Sequence, residues 1–217
     1  MGQVLASGAC LAFPGAHPVF SHGQCDRGAT LAETLVATGI VVVAVGIAVP
    51  FVTTGRHEQH VMNAARHVAG RIVLARAGAA RRGAAIGIRF TRNGERVALR
   101  SYVDGNGNGV RAVDIGNGID TPIETETSLG DRFGGVRFEL SPAAPAIGSS
   151  TPAGAGADPV NLGGSDILSL TPLGTATSGT LYLRSREGHQ AAVRVLGATA
   201  RVQVFHFDFQ TGRWSPR

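Results

Sequence analysis

Residues 28–52 read GATLAETLVATGIVVVAVGIAVPFV, and the reading of this stretch decides the fold. From Thr34 to Gly55 there is no charged side chain. About 22 residues at 1.5 Å rise cover a hydrocarbon core of roughly 30 Å, so the stretch predicts a membrane-spanning helix. It is too long for the apolar core of a secretory signal, and no Ala-x-Ala-like cleavage site follows it. Glu33 stands a single turn inside the N-terminal edge of the apolar block. An ionised carboxylate is costly in hydrocarbon, so Glu33 either marks the membrane boundary or has a partner there.

Downstream the helical pattern continues in amphipathic form. Val61, Ala65, Val68, Ile72, Ala75 and Ala79 recur at three- and four-residue spacing and form one apolar stripe. Arg66, Arg71, Arg76, Arg81 and Arg82 populate the other faces, and Arg82-Gly83 supplies a basic last turn and a glycine cap. The expectation is one long helix from about Ala29 to Arg82, bent near Pro50, whose second half lays its stripe on a globular head.

From Ala84 the period changes to two. Ile86, Ile88 and Phe90 alternate, then Val97, Leu99 and Val103, with a hairpin turn at Arg92-Asn93-Gly94-Glu95. Val136, Phe138 and Leu140 give another strand, and the pairs Leu168/Leu170, Leu181/Leu183, Val193/Val195 and Val202/Val204 give four more. The fold class is therefore α+β: a long N-terminal helix, transmembrane in its first half, packed on an antiparallel β head. Residues 141–160 are rich in Pro, Ala, Gly and Ser without an apolar period and predict a flexible loop within the head.

The chain has 217 residues, room for one ordinary domain plus appendages, and a net charge of +5. It contains no lysine, so every cation outside histidine is an arginine. A GC-rich genome accounts for that. Selection for binding phosphate or carboxylate, which the planar guanidinium fork suits, is the other explanation. No aromatic residues interleave with the helix arginines, which favours a solvated face or contacts to acidic neighbours over a nucleic-acid surface. The two cysteines, Cys10 and Cys25, both precede Gly28.

Gly28 followed by Ala29-Thr30-Leu31-Ala32-Glu33 and a long apolar run resembles the processing site of type IV prepilins and type II secretion pseudopilins. Arg27 and the position of Pro50 agree with that pattern. Ala29 departs from it, since most members have phenylalanine there, and the leader is longer and less basic than usual. Ile167 to Gly174, then Ser178-Gly179-Thr180-Leu181-Tyr182-Leu183, is similar to the GspH/FimT group of minor pseudopilins and pilins. Gly197 to Val202 resembles that group's final strand, with Ala200 where a glycine is usual.

The resemblance implies a leader over 1–28 and a transmembrane and assembly segment over 29–55. It implies an amphipathic continuation over 56–83 and a periplasmic head over 84–217, with its loop at 141–160. A prepilin peptidase would cut between Gly28 and Ala29 and N-methylate Ala29. Glu33 would then pair with the Ala29 amine of a neighbouring pilin or pseudopilin in the filament. The protein would sit in the bacterial inner membrane as a single-pass chain, as a structural subunit rather than an enzyme. A DNA-binding minor pilin, using head arginines and the Trp214–Arg217 tail, is the alternative partner class.

Two further motifs bear on cofactors. Asp104, Asn106 and Asn108, with Gly109 next, have the spacing of the first half of a calcium loop, but position twelve is Ile115 and Asp114 falls one residue early. The same residues also make ordinary tight turns, so calcium and a plain loop both stand. His57-Glu58-Gln59-His60 is one residue short of a zinc-protease helix motif, and no cofactor is expected from it.

Overall fold

The computed structural model describes residues 30–94 and 96–217, with the side chains of 47–57 outside that description. The chain divides into two units, Met1–Val45 and Gly46–Arg217. The boundary falls within the expected transmembrane segment, so the later part of the helix belongs with the head.

One helix, α1 (Leu31–Arg82), opens the described chain. It is followed by β1 (Ile86–Asn93), β2 (Arg96–Val103), α2 (Ala112–Gly116), β3 (Thr121–Pro122), β4 (Thr127–Ser128) and α3 (Leu129–Arg132). Then come β5 (Arg137–Phe138), β6 (Val160–Asn161), β7 (Ile167–Leu170), β8 (Gly179–Arg184), β9 (Gln190–Leu196), β10 (Arg201–Asp208) and β11 (Arg213–Pro216). The architecture is α+β, and every strand pair is antiparallel.

The strands form two sheets. The first runs β3-β2-β1-β7, with β4 also on β2; the second runs β11-β10-β9-β8-β5, with β6 also on β8. The stripe of α1 is buried as its spacing predicts: Val61, Ala65, Val68, Ile72, Ala75 and Ala79 share one core with residues of both sheets. Ile86, Ile88, Phe90, Leu168 and Leu170 come from the first sheet, and Leu181, Leu183, Val193 and Val195 from the second. Small residues on the stripe let strands come close to the helix axis, and dense packing of this kind is what gives a core its specificity. Gly179, at the start of β8, shows why that motif needs a glycine: an added Cβ would lie 2.2 Å from the carbonyl oxygen of Asn161.

One expectation changes. Residues 141–160 do not form a loose loop. They fold over the outer face of the second sheet, with Ala144 fully buried and a bridge between Pro145 and Pro152. Ala144, Leu140, Tyr182, Ala192 and Phe207 make a second apolar cluster, with Trp214 packed against it. Backbone donors on this lid are met by side chains beneath: Ile147 N–H donates to the Tyr182 hydroxyl (2.9 Å) and Ser141 N–H to Gln190 Oε1 (3.0 Å). Alanine and proline can cover a sheet without any apolar period, so composition misread a packed segment as a mobile one.

The membrane expectation concerns the first half of α1. Among the described residues no helix is long and apolar enough to cross a bilayer. The apolar positions with described side chains end at residue 46, and a segment from 31 to 46 is about 24 Å long, short of a core of roughly 30 Å. The rest of the run, and the bend expected near Pro50, fall where side chains lie outside the described residues.

Candidate assembly segment and neighbouring sites

Gly28 and Ala29, the expected cleavage and methylation positions, lie outside the described residues, as do Cys10 and Cys25. Glu33 is described. It stands in the first turn of α1, where the helix dipole favours a negative charge. Its backbone N–H donates to Thr30 Oγ1 at 3.3 Å. Thr30-Leu31-Ala32-Glu33 thus has the spacing of a capping box, a local role for these residues that the sequence reading passed over.

Beyond that turn every described side chain from Thr30 to Gly46 is exposed. Leu31 is 77% exposed, Ile40 65% and Val42 66%. Successive residues turn by about 100°, so the exposed Leu35, Val36, Ile40, Val41 and Val45 are spread around the circumference rather than along one stripe. The polar side chains of the run turn inward on their own backbone: Thr34 Oγ1 donates to Leu31 O at 2.9 Å, and Thr38 Oγ1 donates to Thr34 O. Bonding of this kind hides a hydroxyl from its surroundings. The segment is apolar all round and carries one ionisable side chain, Glu33, at its N-terminal end.

The calcium candidate is an ordered turn. Asp104 Oδ1 accepts from Asn106 N–H (3.1 Å) and Gly107 N–H (2.8 Å), and Oδ2 accepts from Gly109 N–H (2.8 Å). Burial raises the Asp104 pKa, but the backbone donors of Gly109, Gly107, Asn106 and Asn108 outweigh it and hold the carboxyl below its ordinary value. Asp120, buried nearby, accepts from Gly105 and Arg111 N–H. Asn106 Oδ1 accepts from Asn108 N–H at 3.2 Å. The side-chain oxygens of Asp104 and Asn106 thus accept bonds from the loop's own backbone. Among the described residues no three His, Cys, Asp or Glu side chains come together to hold a metal.

In the zinc-like motif, Glu58 faces His206 at 3.5 Å. Further along α1, the His67 ring lies 5.3 Å from that of Phe133, and its Nε2 is buried without a hydrogen-bond partner. Burial, then Arg132 and Arg71, lower its pKa. Arg71 itself is paired with Glu124.

The tail proposed for nucleic acid is strand β11. Trp214 packs against Tyr182 and Phe207, and its Nε1–H donates to Pro145 O at 2.8 Å. Its ring is spent on the second cluster and the lid. Comparison with known proteins gave no match: no family model, no curated protein and no solved structure is similar to this chain.

Proposed function

We propose that this chain is a structural filament subunit of the minor pseudopilin or minor pilin kind. It is inserted in a bacterial inner membrane by the first half of α1, cut between Gly28 and Ala29, and assembled through that helix. The observation that carries the reading is the segment 31–46: exposed, apolar on all sides, with its hydroxyls turned inward and one carboxylate at its start. A helix packed on a core needs one apolar stripe, as the second half of α1 has. A helix apolar all round needs apolar surroundings on all sides, which lipid or a bundle of like helices supplies. The resemblance at Gly28–Glu33 supports the bundle.

Glu33→Gln separates this reading from a simpler one. If Glu33 only caps its helix or marks a membrane boundary, Gln serves equally, since it also completes a capping box. If Glu33 neutralises the amine of an adjacent subunit, Gln leaves that amine unpaired in an apolar bundle. Removing one partner of a buried pair costs about 3–5 kcal/mol, roughly two to nearly four powers of ten in association. The variant is expected to begin at Ala29 by mass spectrometry, to remain in the membrane, and to lose co-purification with the other filament subunits. Normal co-purification would refute the pairing role, and a different mature N-terminus would refute the processing.

A further inference from the structure

The head carries a protruding turn on one flank of α1 and a hollow on the other. The turn is Thr171–Thr175, between β7 and β8. Its tip is Leu173, 94% exposed. The turn is tied to itself: Thr171 N–H donates to Thr175 O (2.8 Å), Gly174 N–H to Thr171 O (3.1 Å) and Thr175 N–H to Thr171 Oγ1 (3.2 Å), and the two threonine hydroxyls lie 2.7 Å apart. Pro172 removes a further backbone freedom. A leucine held out on so stiff a turn loses little freedom when it meets a surface. Among the described residues nothing donates to the carbonyls of Pro172 and Leu173, so the tip also presents acceptors.

The hollow is a groove of about 240 Å³ between α1, the starts of the first sheet's strands and the segment joining β3 to β4. Leu74, Ala75, Gly78, Ile86 and Ile123 give it an apolar lining. Leu74 is 72% exposed and Ile123 38%, so part of that lining meets water. The far wall is fixed. Glu124 accepts from Arg71 and Ser101, Arg100 Nε donates to Glu124 O at 3.0 Å, and Ile123 N–H donates to Ser101 O at 2.9 Å. Glu124, the acid of the lining, is thus already paired, while Arg81 and Arg82 stand exposed at the mouth.

Arg76 places the two features relative to each other. Its guanidinium lies under the turn, with Nη2 3.5 Å from where a Cβ on Gly174 would stand. At 3.6 residues per turn of helix, Arg76 is about 140° from Arg71 and about 160° from Gly78, which line the groove. Turn and groove therefore stand at one height on α1, on opposed flanks.

We propose that the leucine turn of one copy seats in the groove of a second copy, so that heads join side by side. The inference rests on the reading of the chain as a filament subunit and names the head surfaces that meet. Leu173 covers the apolar lining, and the carbonyls of the turn accept from Arg81 and Arg82, which gives charge-assisted bonds. Turn and groove are different surfaces, so the contact is heterologous. Each bound copy still offers a turn on one flank and a groove on the other, and such contacts run on from copy to copy instead of closing as a pair.

The test is photo-cross-linking of the full-length chain in native membranes. The photoreactive residue p-benzoylphenylalanine takes the place of Leu74, whose exposure accommodates the bulk, and a tagged second copy is co-expressed. Light is expected to join two copies, with the adduct mapped by peptide mass spectrometry to Thr171–Thr175 of the tagged chain. Leu173→Asp in the tagged copy should cut that adduct at least about tenfold, the worth of burying one leucine side chain. The same photoreactive residue at Val113, 70% exposed on α2, should not reach the turn. Adducts only to another protein, or only to the α1 groove of the second copy, would overturn the proposal. So would a yield that Leu173→Asp leaves unchanged, or no adduct at all. Co-purification with the other filament subunits is read from the same membranes. If it persists while the adduct is missing, the head contact alone falls; if it too is missing, the filament reading falls with it.

Discussion

Gln190→Leu tests how the lid over residues 141–160 is held. Gln190 is completely buried in β9. Its Nε2 donates to Glu139 O at 2.7 Å and Leu183 O at 3.0 Å, and its Oε1 accepts Ser141 N–H at 3.0 Å. Leucine fills nearly the same volume but offers no partner. Ser141 N–H and Glu139 C=O are then orphaned in a dry interior, and Leu183 C=O loses one bond. Each orphaned group costs about 1–3 kcal/mol, and apolar burial of leucine returns about 1 kcal/mol. The net loss is about 1–5 kcal/mol, which at roughly 2–4 °C per kcal/mol for a chain of this size lowers Tm by about 2–20 °C. Thermal melting followed by circular dichroism reads the loss, with exposed Gln210→Leu as a control expected within about 0.5 kcal/mol of wild type. Because Ser141 begins the lid, limited proteolysis should also cut within 141–160 sooner in the variant. Unchanged melting together with an uncut lid would refute the reasoning.

Two more outcomes follow from single side chains. The folded-state pKa of His67 lies below its ordinary 6.5, so below that pH the unfolded chain binds a proton the folded chain does not; His67→Phe should remove a loss of stability that grows as pH falls from about 6.5 and is absent above it, seen as a difference between the two Tm-against-pH curves. Asp104→Ala removes the acceptor for three backbone N–H groups and should cost about 2–4 kcal/mol with or without millimolar calcium; a wild-type melting temperature that rises with calcium, and a variant that does not respond, would make the turn a metal loop.

The second half of α1 was legible because burial on a helix leaves a period. All six stripe residues, from Val61 to Ala79, lie in the core. The hairpin β1–β2 and strands β7 to β10 were legible for the same reason. Ala200, where the resembled pattern has glycine, adopts φ 47°, a left-handed turn that glycine favours. Other parts left no such trace. The lid is built of alanine and proline, and β11 contributes one tryptophan to a cluster whose members are scattered from Leu140 to Trp214. Thr30 and Glu33 were in view as part of a processing pattern, and their capping geometry needed only the spacing between them.

The order of the strands along the chain also sets an order of events in time. When residue 178 leaves the ribosome, all of α1 and every strand of the first sheet have been made, but none of β8 to β11. β1 has waited for β7, which is the partner of Ile86 through Leu170. The stripe of α1 still lacks Leu181, Leu183, Val193 and Val195, the opposite wall of its core. Contacts this far apart in sequence form late and slowly, and a half-built core is a surface on which chains stick to one another. The head therefore closes only with its final strands, so a chain cut short by even one of them is left open where the whole one is sealed.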